Sequence, residues 1–438
     1  MVIIGGGVMG ASTAWNLTSR AGEEGRASVS VTLIDANHPI RGSWHESRIC
    51  RAAYEDPMYV KMVIRAFEHW RRLESEAGKG KLIHMAGILD IGEPSKLTGY
   101  LACYKSLKMP VEVFSGATDE GRREFTTRFP TLRLGESQGA IFQKDTAVLL
   151  ADVCTESMLE LAEKRGATLH LDDAVVGINR RAKTVTTQKG IVCPYDVLIL
   201  AAGPWTNAML QAAGLGLLPL AISNEQAVYL QTKKGVDDAA MEPSKSPVVV
   251  EHHFNTYAVP HLPGGVAGCK IGAHAAGEFM NNSDFVLPAG AVPLLKQLEQ
   301  PSQAVTREQS DDIHRPMLET VQAMAKVNFP LLDPTTGQET YTRCLYQNLM
   351  RDNTKAAGRM SEFSSDFACG PHPEDGNVLV TAGYTGEGFK FGPVLGELLG
   401  DMVLRGEAKG GEERVPDMER RFSIDNSLTL FPPESSEE

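Results

Sequence analysis

The sequence Met1-Val-Ile-Ile-Gly-Gly-Gly-Val-Met-Gly10 opens the chain with a short apolar run that leads directly into glycines. Gly5, Gly7 and Gly10 have the G-x-G-x-x-G spacing of a dinucleotide-binding turn. The first glycine permits a tight turn, the second lets a pyrophosphate approach, and the third lets a helix pack on the strand. The spacing predicts a helix over residues 8–19 whose N-terminal N–H groups face the phosphates.

An acidic residue follows at the expected distance. Residues 29–34 form a second apolar run that ends at Asp35, about where a carboxylate meets a ribose hydroxyl in such sites. The alternative is an ordinary glycine turn with a surface Asp. The strand before, the helix after and the acid at the end of the next strand together favour a βαβ dinucleotide site.

Composition limits the function classes. The chain has 438 residues, enough for two intertwined domains with a large core. Its hydrophobic content of 42% and charged content of 22% are ordinary for a globular protein, and no run reaches the roughly 18 apolar residues of a membrane span. The formal charge of -12, without a Lys/Arg cluster, argues against a nucleic-acid partner.

The seven cysteines are scattered and form no C-x-x-C motif, so the sequence indicates neither a disulfide framework nor a metal site. A reducing compartment fits this usage best. The chain begins in a strand, which leaves no room for a signal peptide, and its last residues are not a peroxisomal tripeptide. We therefore expect an intracellular protein, cytoplasmic by default.

Strand and helix patterns predict an α/β fold combined with an α+β part. A doubly wound nucleotide-binding domain is assembled from residues 1–84, 148–220 and 366–438. Residues 85–147 and 221–365 form the substrate domain, which is mostly β. Within it, a helix over residues 311–327 presents an apolar stripe typical of core packing.

Three stretches carry candidate chemistry. Residues 41–51 contain three arginines and a histidine in a predicted loop, although Arg48 and Arg51 also fit a solvent-facing helical turn. Lys270 stands in the middle of a predicted strand, where an inward-facing lysine is costly unless it has a task, and an outward-facing one is equally compatible. Residues 377–391 repeat the order strand, glycines, lysine, helix, which is typical of an edge that faces a cofactor.

Together these motifs resemble the monomeric sarcosine oxidase and L-pipecolate oxidase family, FAD-dependent amine oxidases of the D-amino acid oxidase superfamily. The motifs are Gly5-x-Gly7-x-x-Gly10, Ser47-Arg-Ile-Cys-Arg51, Ala202-Gly-Pro-Trp-Thr206, Lys270, Cys344-Leu-Tyr346 and Gly386-Glu-Gly-Phe-Lys390. The resemblance implies an FAD-binding domain of the Rossmann-like, glutathione-reductase type and a mixed-sheet substrate domain.

The resemblance also implies roles for individual residues. Cys344 carries FAD covalently, although a small buried hydrophobe is the commonest fate of a free cysteine. Lys270 activates oxygen. Arg48 lies against the flavin, and Arg51 and Lys390 bind the substrate carboxylate. The site is lined by His45, Tyr257, His274 and Tyr346. The implied cofactor-binding set is Gly5, Gly7, Val8, Met9, Gly10, Asp35, Ser43, Arg48, Val175, Ala202, Gly203, Trp205, Cys344, Gly386, Gly388, Phe389 and Lys390.

The implied reaction is oxidation of the C–N bond of a small secondary or N-methyl amino acid, such as sarcosine, pipecolate or proline, to an imine. Oxygen is reduced to hydrogen peroxide, and the enzyme is a monomer with no macromolecular partner. A fructosyl-amino-acid oxidase, a flavin dehydrogenase that reacts poorly with oxygen, and a non-catalytic flavin-binding partner protein are the alternatives. An NAD-linked dehydrogenase would leave Cys344 and the Gly-Phe-Lys block unexplained.

The sequence departs from the family pattern in three places. Glu387 replaces the histidine of the commoner motif Gly-His-Gly-Phe-Lys and so adds a negative charge beside Lys390. The Trp44-His45 stretch is one residue shorter than usual, and residues 351–364 interrupt a normally compact segment after Cys344. The identity of the substrate is therefore left open by the sequence.

Overall fold

The computed structural model describes residues 1–20, 29–38, 42, 45–274, 276–280, 313–338, 340–350, 363–405 and 418–424. Within these ranges the helices are α1 Val8–Ser19, α2 Pro57–Ala77, α3 Pro94–Ser106, α4 Asp119–Arg128, α5 Ala151–Lys164, α6 Thr206–Ala212, α7 Arg315–Asn328, α8 Gly392–Arg405 and α9 Met418–Arg421. The strands are β1 Val2–Ile4, β2 Thr32–Asp35, β3 Ser47–Cys50, β4 Ile83–Met85, β5 Ile88–Gly92, β6 Glu112–Ser115, β7 Gly139–Gln143, β8 Ala147–Leu150, β9 Thr168–Leu171, β10 Val175–Asn179, β11 Thr184–Thr187, β12 Val192–Pro194, β13 Leu198–Leu200, β14 Leu220–Leu230, β15 Val248–Glu251, β16 Thr256–Val259, β17 Cys269–Ala273, β18 Glu278–Met280, β19 Tyr341–Leu349, β20 Ala368–His372 and β21 Asp375–Ala382.

The first sheet has six strands in the order β20-β21-β13-β1-β2-β9. Its inner pairings are parallel, and only β20 runs antiparallel to its neighbour. After β1 the chain forms β2 on one side and returns later to form β13 on the other, so the order reverses at β1. In open parallel sheets a ligand binds outside the carboxyl ends of the strands at such a reversal.

Both faces of this sheet are covered, which explains why its strands are apolar without alternation. Ile3 points to one face, where it belongs to a core cluster with residues of α1, α2, α5 and α8. Val2 and Ile4 point to the other face and pack with the small sheet β10-β11-β12 and with α6. The doubly wound architecture predicted from the sequence is confirmed.

The second sheet has nine strands in the order β18-β14-β17-β16-β15-β5-β7-β6, with β19 also paired to β14. Strands β15 and β5 are parallel and the other pairs are antiparallel, so the sheet is mixed, as expected. Helix α7 packs against it through Met317, Leu318, Val321 and Met324, which are all buried. The predicted apolar stripe is therefore a packing face.

One expectation about local structure was wrong. The arginine-rich stretch was predicted to be a loop, but Ser47–Cys50 is a strand that pairs antiparallel with β8. The strand has only four residues and no alternation of buried and exposed positions to mark it in the sequence, and its pairing with β8 joins segments about a hundred residues apart. Strand geometry fixes the direction of Arg48 more firmly than a loop would.

The strands of the six-stranded sheet come from residues 1–84, 148–220 and 366–438, and the nine-stranded sheet comes from 85–147 and 221–365 except for the first residue of β14. The domain boundaries themselves remain a prediction. Helix α2 packs against α5 and α8. The Asp56 side chain accepts from Met58 N at its start, Pro57 lies in its first turn, and Gly78 ends it at φ 63°. These are the capping signals expected of a well-defined helix.

Candidate flavin and substrate site

The glycine turn after β1 packs so tightly against neighbouring backbone atoms that it leaves no space for side chains at Gly5 and Gly10. Gly5 has φ +109°, and a Cβ there would lie 2.3 Å from Ala201 O. A Cβ on Gly10 would lie 1.8 Å from Gly5 O, so α1 contacts the turn backbone directly. Gly7 occupies the N-cap position without a side-chain cap, so the positive end of α1 faces the turn. This cradle fits the pyrophosphate of a dinucleotide.

Asp35 lies against the same turn. Its carboxylate accepts from Gly6 N and, at 2.6 Å, from Asn37 N. Two further turns reach this edge of the sheet. The Asp173 N donates to Asp35 O at 3.1 Å just before Val175, and Ala202 leads into a 3-10 helix, Gly203–Trp205. The residues predicted to bind the nucleotide therefore converge at the carboxyl ends of the parallel strands, where FAD fits.

A cavity of about 470 Å³ is lined by residues of the nine-stranded sheet and of the turn that follows β21. Eleven of the predicted site residues line it: His45, Arg48, Arg51, Tyr257, Lys270, His274, Cys344, Tyr346, Gly386, Phe389 and Lys390. Gly388 is not among the lining residues, and Ser43 and Trp44 lie outside the described residues. Residues 351–362 of the predicted excursion also lie outside them, and its last two residues, Phe363 and Ser364, line the cavity.

One wall of the cavity is formed by Arg48 and Cys344. The Nη2 atom of Arg48 donates to the Cys344 sulfur at 3.1 Å and to Gly42 O at 2.9 Å. The sulfur lies 3.4 Å from the same Gly42 oxygen. The guanidinium also lies over the ring of Phe389, 5.9 Å from its centroid. A planar cation and a sulfur thus share one wall.

The sequence left open whether Lys270 faces inward or outward. The structure shows that it faces inward from β17 and is buried. Its Nζ donates to Ser47 O at 3.1 Å and lies 3.4 Å from Ser47 Oγ. Burial, and then the positive charge of Arg48, lower the pKa of Lys270 to about 7. Few buried lysines titrate near neutrality, and those that do are candidates for a functional role.

Two tyrosine rings are seated on glycines. A Cβ on Gly272 would lie 2.6 Å from the Tyr257 hydroxyl, and a Cβ on Gly386 would lie 2.6 Å from the Tyr346 ring. Burial raises the pKa of Tyr257 to about 12, which keeps its hydroxyl protonated. The His274 ring lies beside the Tyr257 ring, with centroids 5.1 Å apart and planes tilted by 47°. Burial, and then the positive charge of Arg51, lower the pKa of His274 to about 4.

The opposite wall contains the predicted carboxylate-binding pair, and the two cations already share an anion. Arg51 Nη2 donates to Glu387 Oε1 at 3.0 Å. Lys390 Nζ donates to Glu387 O at 3.0 Å and to Glu387 Oε2, and the Tyr54 hydroxyl also donates to Oε2. Burial alone would raise the pKa of Glu387, but Lys390 and Arg51 outweigh it and hold that pKa well below its usual range.

The turn that carries Glu387 and Lys390 is fixed by α2. Trp70 is fully buried, and its ring stacks on Phe389 with centroids 5.6 Å apart and planes 4° apart. Its Nε1 donates to Lys390 O at 3.1 Å. The turn therefore has a rigid support outside the cavity.

Four further residues contribute to the site but were not predicted. Ser47 accepts from Lys270, Tyr54 donates to Glu387, and Gln347 links the glycine turns by donating to Gly203 O at 2.6 Å and accepting from Gly383 N at 3.0 Å. Glu225 lines the cavity and accepts from Ser223 Oγ at 2.7 Å. For the three strand residues, Ser47, Glu225 and Gln347, the only signal in the sequence was a polar side chain, which alone does not separate function from structure; Tyr54 gave no such signal.

Comparison with known proteins assigns this architecture. The family described as FAD dependent oxidoreductase matches residues 1–402. The chain belongs to this family. It is therefore an FAD-dependent oxidoreductase, and the fit of the glycine cradle to a dinucleotide agrees with this. Among the described residues no group of His, Cys, Asp and Glu side chains is arranged to hold a metal ion.

The relatives extend over nearly the whole chain. Monomeric sarcosine oxidase of Streptomyces avermitilis is 25% identical over 427 residues, which are 93% of this chain and 94% of that protein. Peroxisomal sarcosine oxidase of Mus musculus is 26% identical over 420 residues, 92% of each chain. The solved structure of NikD, an unusual amino acid oxidase essential for nikkomycin biosynthesis, is 19% identical and superposes with a TM-score of 0.69, covering 98% of this chain and 97% of that one.

The family expectation from the sequence is confirmed by these matches. The seven cysteines all lie within the described residues, where they are buried and form no disulfide. In the part of the chain that the structure describes, no helix has both the length and the apolarity needed to cross a bilayer.

Proposed function

We propose that this chain oxidises the C–N bond of a small secondary or N-methylated amine of the amino-acid type, related to sarcosine, pipecolate or proline, to an imine. The observation that carries the proposal is the arrangement of four cationic side chains, two buried and two partly buried, around one cavity. Arg48 and Lys270 lie near Cys344 on one wall, and Arg51 and Lys390 lie on the other.

Bound FAD would supply the two-electron acceptor for this oxidation, while the protein supplies orientation and electric field. Cys344 is the residue we propose to hold the flavin covalently, since its sulfur faces the cavity wall beside Arg48. The guanidinium of Arg48 is held by its hydrogen bonds to Ser47 O and Gly42 O and lies over Phe389. A fixed planar cation at this wall is suited to stabilise negative charge that develops during the reaction.

The cations also act on the substrate. An amine must be unprotonated before hydride can leave the neighbouring carbon, and nearby positive charge lowers the pKa of an ammonium group. Arg51 and Lys390 line the cavity, and their positive charge, only partly offset by Glu387, favours the neutral form of a bound amine without a dedicated base. His274 has a lowered pKa of about 4 and is neutral at pH 7, so it adds no charge.

Lys270 is the residue we propose to promote the reaction with oxygen. It is buried, held by Ser47 through backbone and side chain, and close enough to Arg48 for the two charges to interact. A preorganised positive charge stabilises negative charge that forms beside it without the cost of reorganising solvent. An oxidase, rather than a dehydrogenase that reacts poorly with oxygen, is the consequence.

The test is aerobic turnover by the purified holoenzyme with sarcosine, pipecolate, proline, N-methyl amino acids and fructosyl amino acids. We expect equal amounts of hydrogen peroxide and carbonyl product from at least one secondary amine. Turnover with an artificial electron acceptor but little peroxide would identify a dehydrogenase. Activity restricted to the fructosyl compounds would contradict the proposed substrate class.

A further inference from the structure

The most unusual feature of the cavity is an acidic side chain in the place expected for part of the substrate. Glu387 lies between Arg51 and Lys390, the pair predicted to bind a substrate carboxylate. Its two oxygens accept from Arg51 Nη2, Lys390 Nζ and the Tyr54 hydroxyl. The carboxylate is 29% exposed and lines the cavity, so the exposed part faces the substrate.

Both cations already donate hydrogen bonds to Glu387. Arg51 Nη1 donates to Ala53 O at 2.6 Å while Nη2 donates to Glu387. Of the three N–H donors of a lysine, Lys390 directs two to the backbone and side chain of Glu387. An incoming carboxylate would therefore compete with Glu387 for Arg51 and Lys390 rather than meet two cations without an anionic partner.

The charges at this wall also disfavour a substrate carboxylate. The two cations and the Glu387 carboxylate together give this wall a net charge of about +1. Each of the three groups is already hydrogen bonded to another of them. A substrate carboxylate would have to lie against Glu387, and like charges in a partly desolvated cavity repel strongly. Moving Glu387 away would leave its charge in the cavity without Arg51, Lys390 and Tyr54, which is costly.

A neutral carboxamide can bind at this wall without charge repulsion and without displacing Glu387. An ionised carboxylate offers about four lone-pair sites, and three donors are present at Glu387, so an amide N–H of the substrate has an acceptor available. The remaining N–H of Lys390 has the chemistry to donate to the amide oxygen. Both polar groups of the amide thus find partners on this wall.

We propose that Glu387 stands in for the substrate carboxylate and makes this enzyme selective for secondary or N-methyl amines whose carboxyl group is blocked as an amide. This inference rests on the proposed function, since it names the substrate class of the same site. The selectivity is a difference between two substrates and arises as much from repulsion of the acid as from attraction of the amide.

The test compares sarcosine with N-methylglycinamide as reductants of the holoenzyme under anaerobic conditions, monitored by flavin absorbance in a stopped-flow instrument. We expect the amide to reduce the wild-type flavin with an efficiency at least about tenfold higher than the acid. Glu387→Gln should shift the ratio of the two efficiencies toward the acid by at least about tenfold. The control Glu55→Gln removes a negative charge from another residue of the cavity lining and should leave the ratio within about twofold of wild type.

A binding measurement makes the test independent of turnover. The thioether analogues (methylthio)acetate and (methylthio)acetamide replace the amine nitrogen with sulfur, and calorimetry of the wild-type holoenzyme should give tighter binding of the amide. Glu387→Asp supplies a second variant should the glutamine form fold poorly. Its shorter side chain should weaken the preference without reversing it.

Preference of the wild-type enzyme for sarcosine and for (methylthio)acetate, with a ratio unchanged in Glu387→Gln, would overturn the inference and leave the proposed function standing. Failure of every amine to reduce the flavin, in the wild type and in the variants, would instead overturn the proposed function. The two failures are therefore distinguishable.

Discussion

The guanidinium of Arg48 donates a 3.1 Å hydrogen bond to the sulfur of Cys344, a residue 296 positions later in the sequence. Strand β3 of a small three-stranded sheet supplies the arginine, and strand β19 of the nine-stranded sheet supplies the cysteine. Both side chains also contact the carbonyl oxygen of Gly42. This wall of the cavity is thus formed where the two sheets meet.

Replacing Cys344 with Ala tests its proposed role in cofactor attachment. If the flavin is covalent through this sulfur, acid precipitation should leave yellow colour in the wild-type pellet and release it to the supernatant from Cys344→Ala. The measurement is the flavin absorbance of the two fractions. Cys193→Ala, a buried cysteine in the small sheet β10-β11-β12, is the control and should behave as wild type. A Cys344→Ala pellet as yellow as wild type would rule out the attachment.

Lys270 leads to a prediction about pH. Burial and Arg48 lower the pKa of Lys270 to about 7, so the charged fraction falls as pH rises through 7. The rate constant for reoxidation by oxygen should therefore fall over the same range in wild type. Lys270→Met should be slow at every pH, by at least about 100-fold, with anaerobic reduction by amine much less affected.

Lys270→Arg is the matched control, because arginine stays protonated across this range and should abolish the pH dependence. The measurement is stopped-flow reoxidation of the reduced enzyme between pH 6 and pH 9, values chosen to bracket the lowered pKa by roughly one to two units. Equal slowing of reduction and reoxidation in Lys270→Met would contradict the oxygen role.

Gly10→Ala tests the nucleotide cradle. A Cβ at this position would lie 1.8 Å from Gly5 O, so either α1 or the turn must move. We expect the variant to retain little flavin on purification and to melt at a lower temperature. Gly376→Ala is the control because a Cβ there meets nothing within 4 Å. Flavin content measured per polypeptide should stay near wild type in the control, and a normal flavin content in Gly10→Ala would show that the cradle does not hold the nucleotide.

Trp70 supports the turn that carries Lys390. Trp70→Ala removes a fully buried ring and should lower the free energy of unfolding by about 3–5 kcal/mol. Trp70→Phe can keep the stacking on Phe389 but loses the hydrogen bond to Lys390 O, at a cost of about 1 kcal/mol plus a cavity contribution. Denaturant melts of the holoenzyme provide the measurement. A Trp70→Phe variant as unstable as Trp70→Ala would show that stacking is not the stabilising contact.

Local patterns in the sequence were sufficient for the nucleotide part of the fold. The glycine spacing and the apolar run at residues 1–10 predicted β1, the turn and α1 with the observed bounds of Val8–Ser19. The second strand begins at Thr32 rather than at residue 29. Glycine turns and apolar strands depend on neighbouring residues, so they can be read from short stretches.

The cavity was harder to predict because its contacts span the chain. The direction of Lys270 depends on the register of β17 with β14 and β16, and a shift by one residue would reverse it. Gln347 joins turns that are 144 and 36 residues away. The pairing of Glu387 with Arg51 required the packing of α2 beside the turn after β21, and nothing local to Glu387 indicates Tyr54.

The central claim is that amines deliver electrons to the FAD of this protein, and one anaerobic titration tests it most directly. Holoenzyme is mixed with N-methylglycinamide, sarcosine or pipecolate in the absence of oxygen while the visible flavin absorbance is recorded. The account predicts that at least one of these secondary amines bleaches the flavin and that readmitted oxygen restores the colour with release of hydrogen peroxide. A fully flavin-loaded protein that no amine bleaches would contradict it.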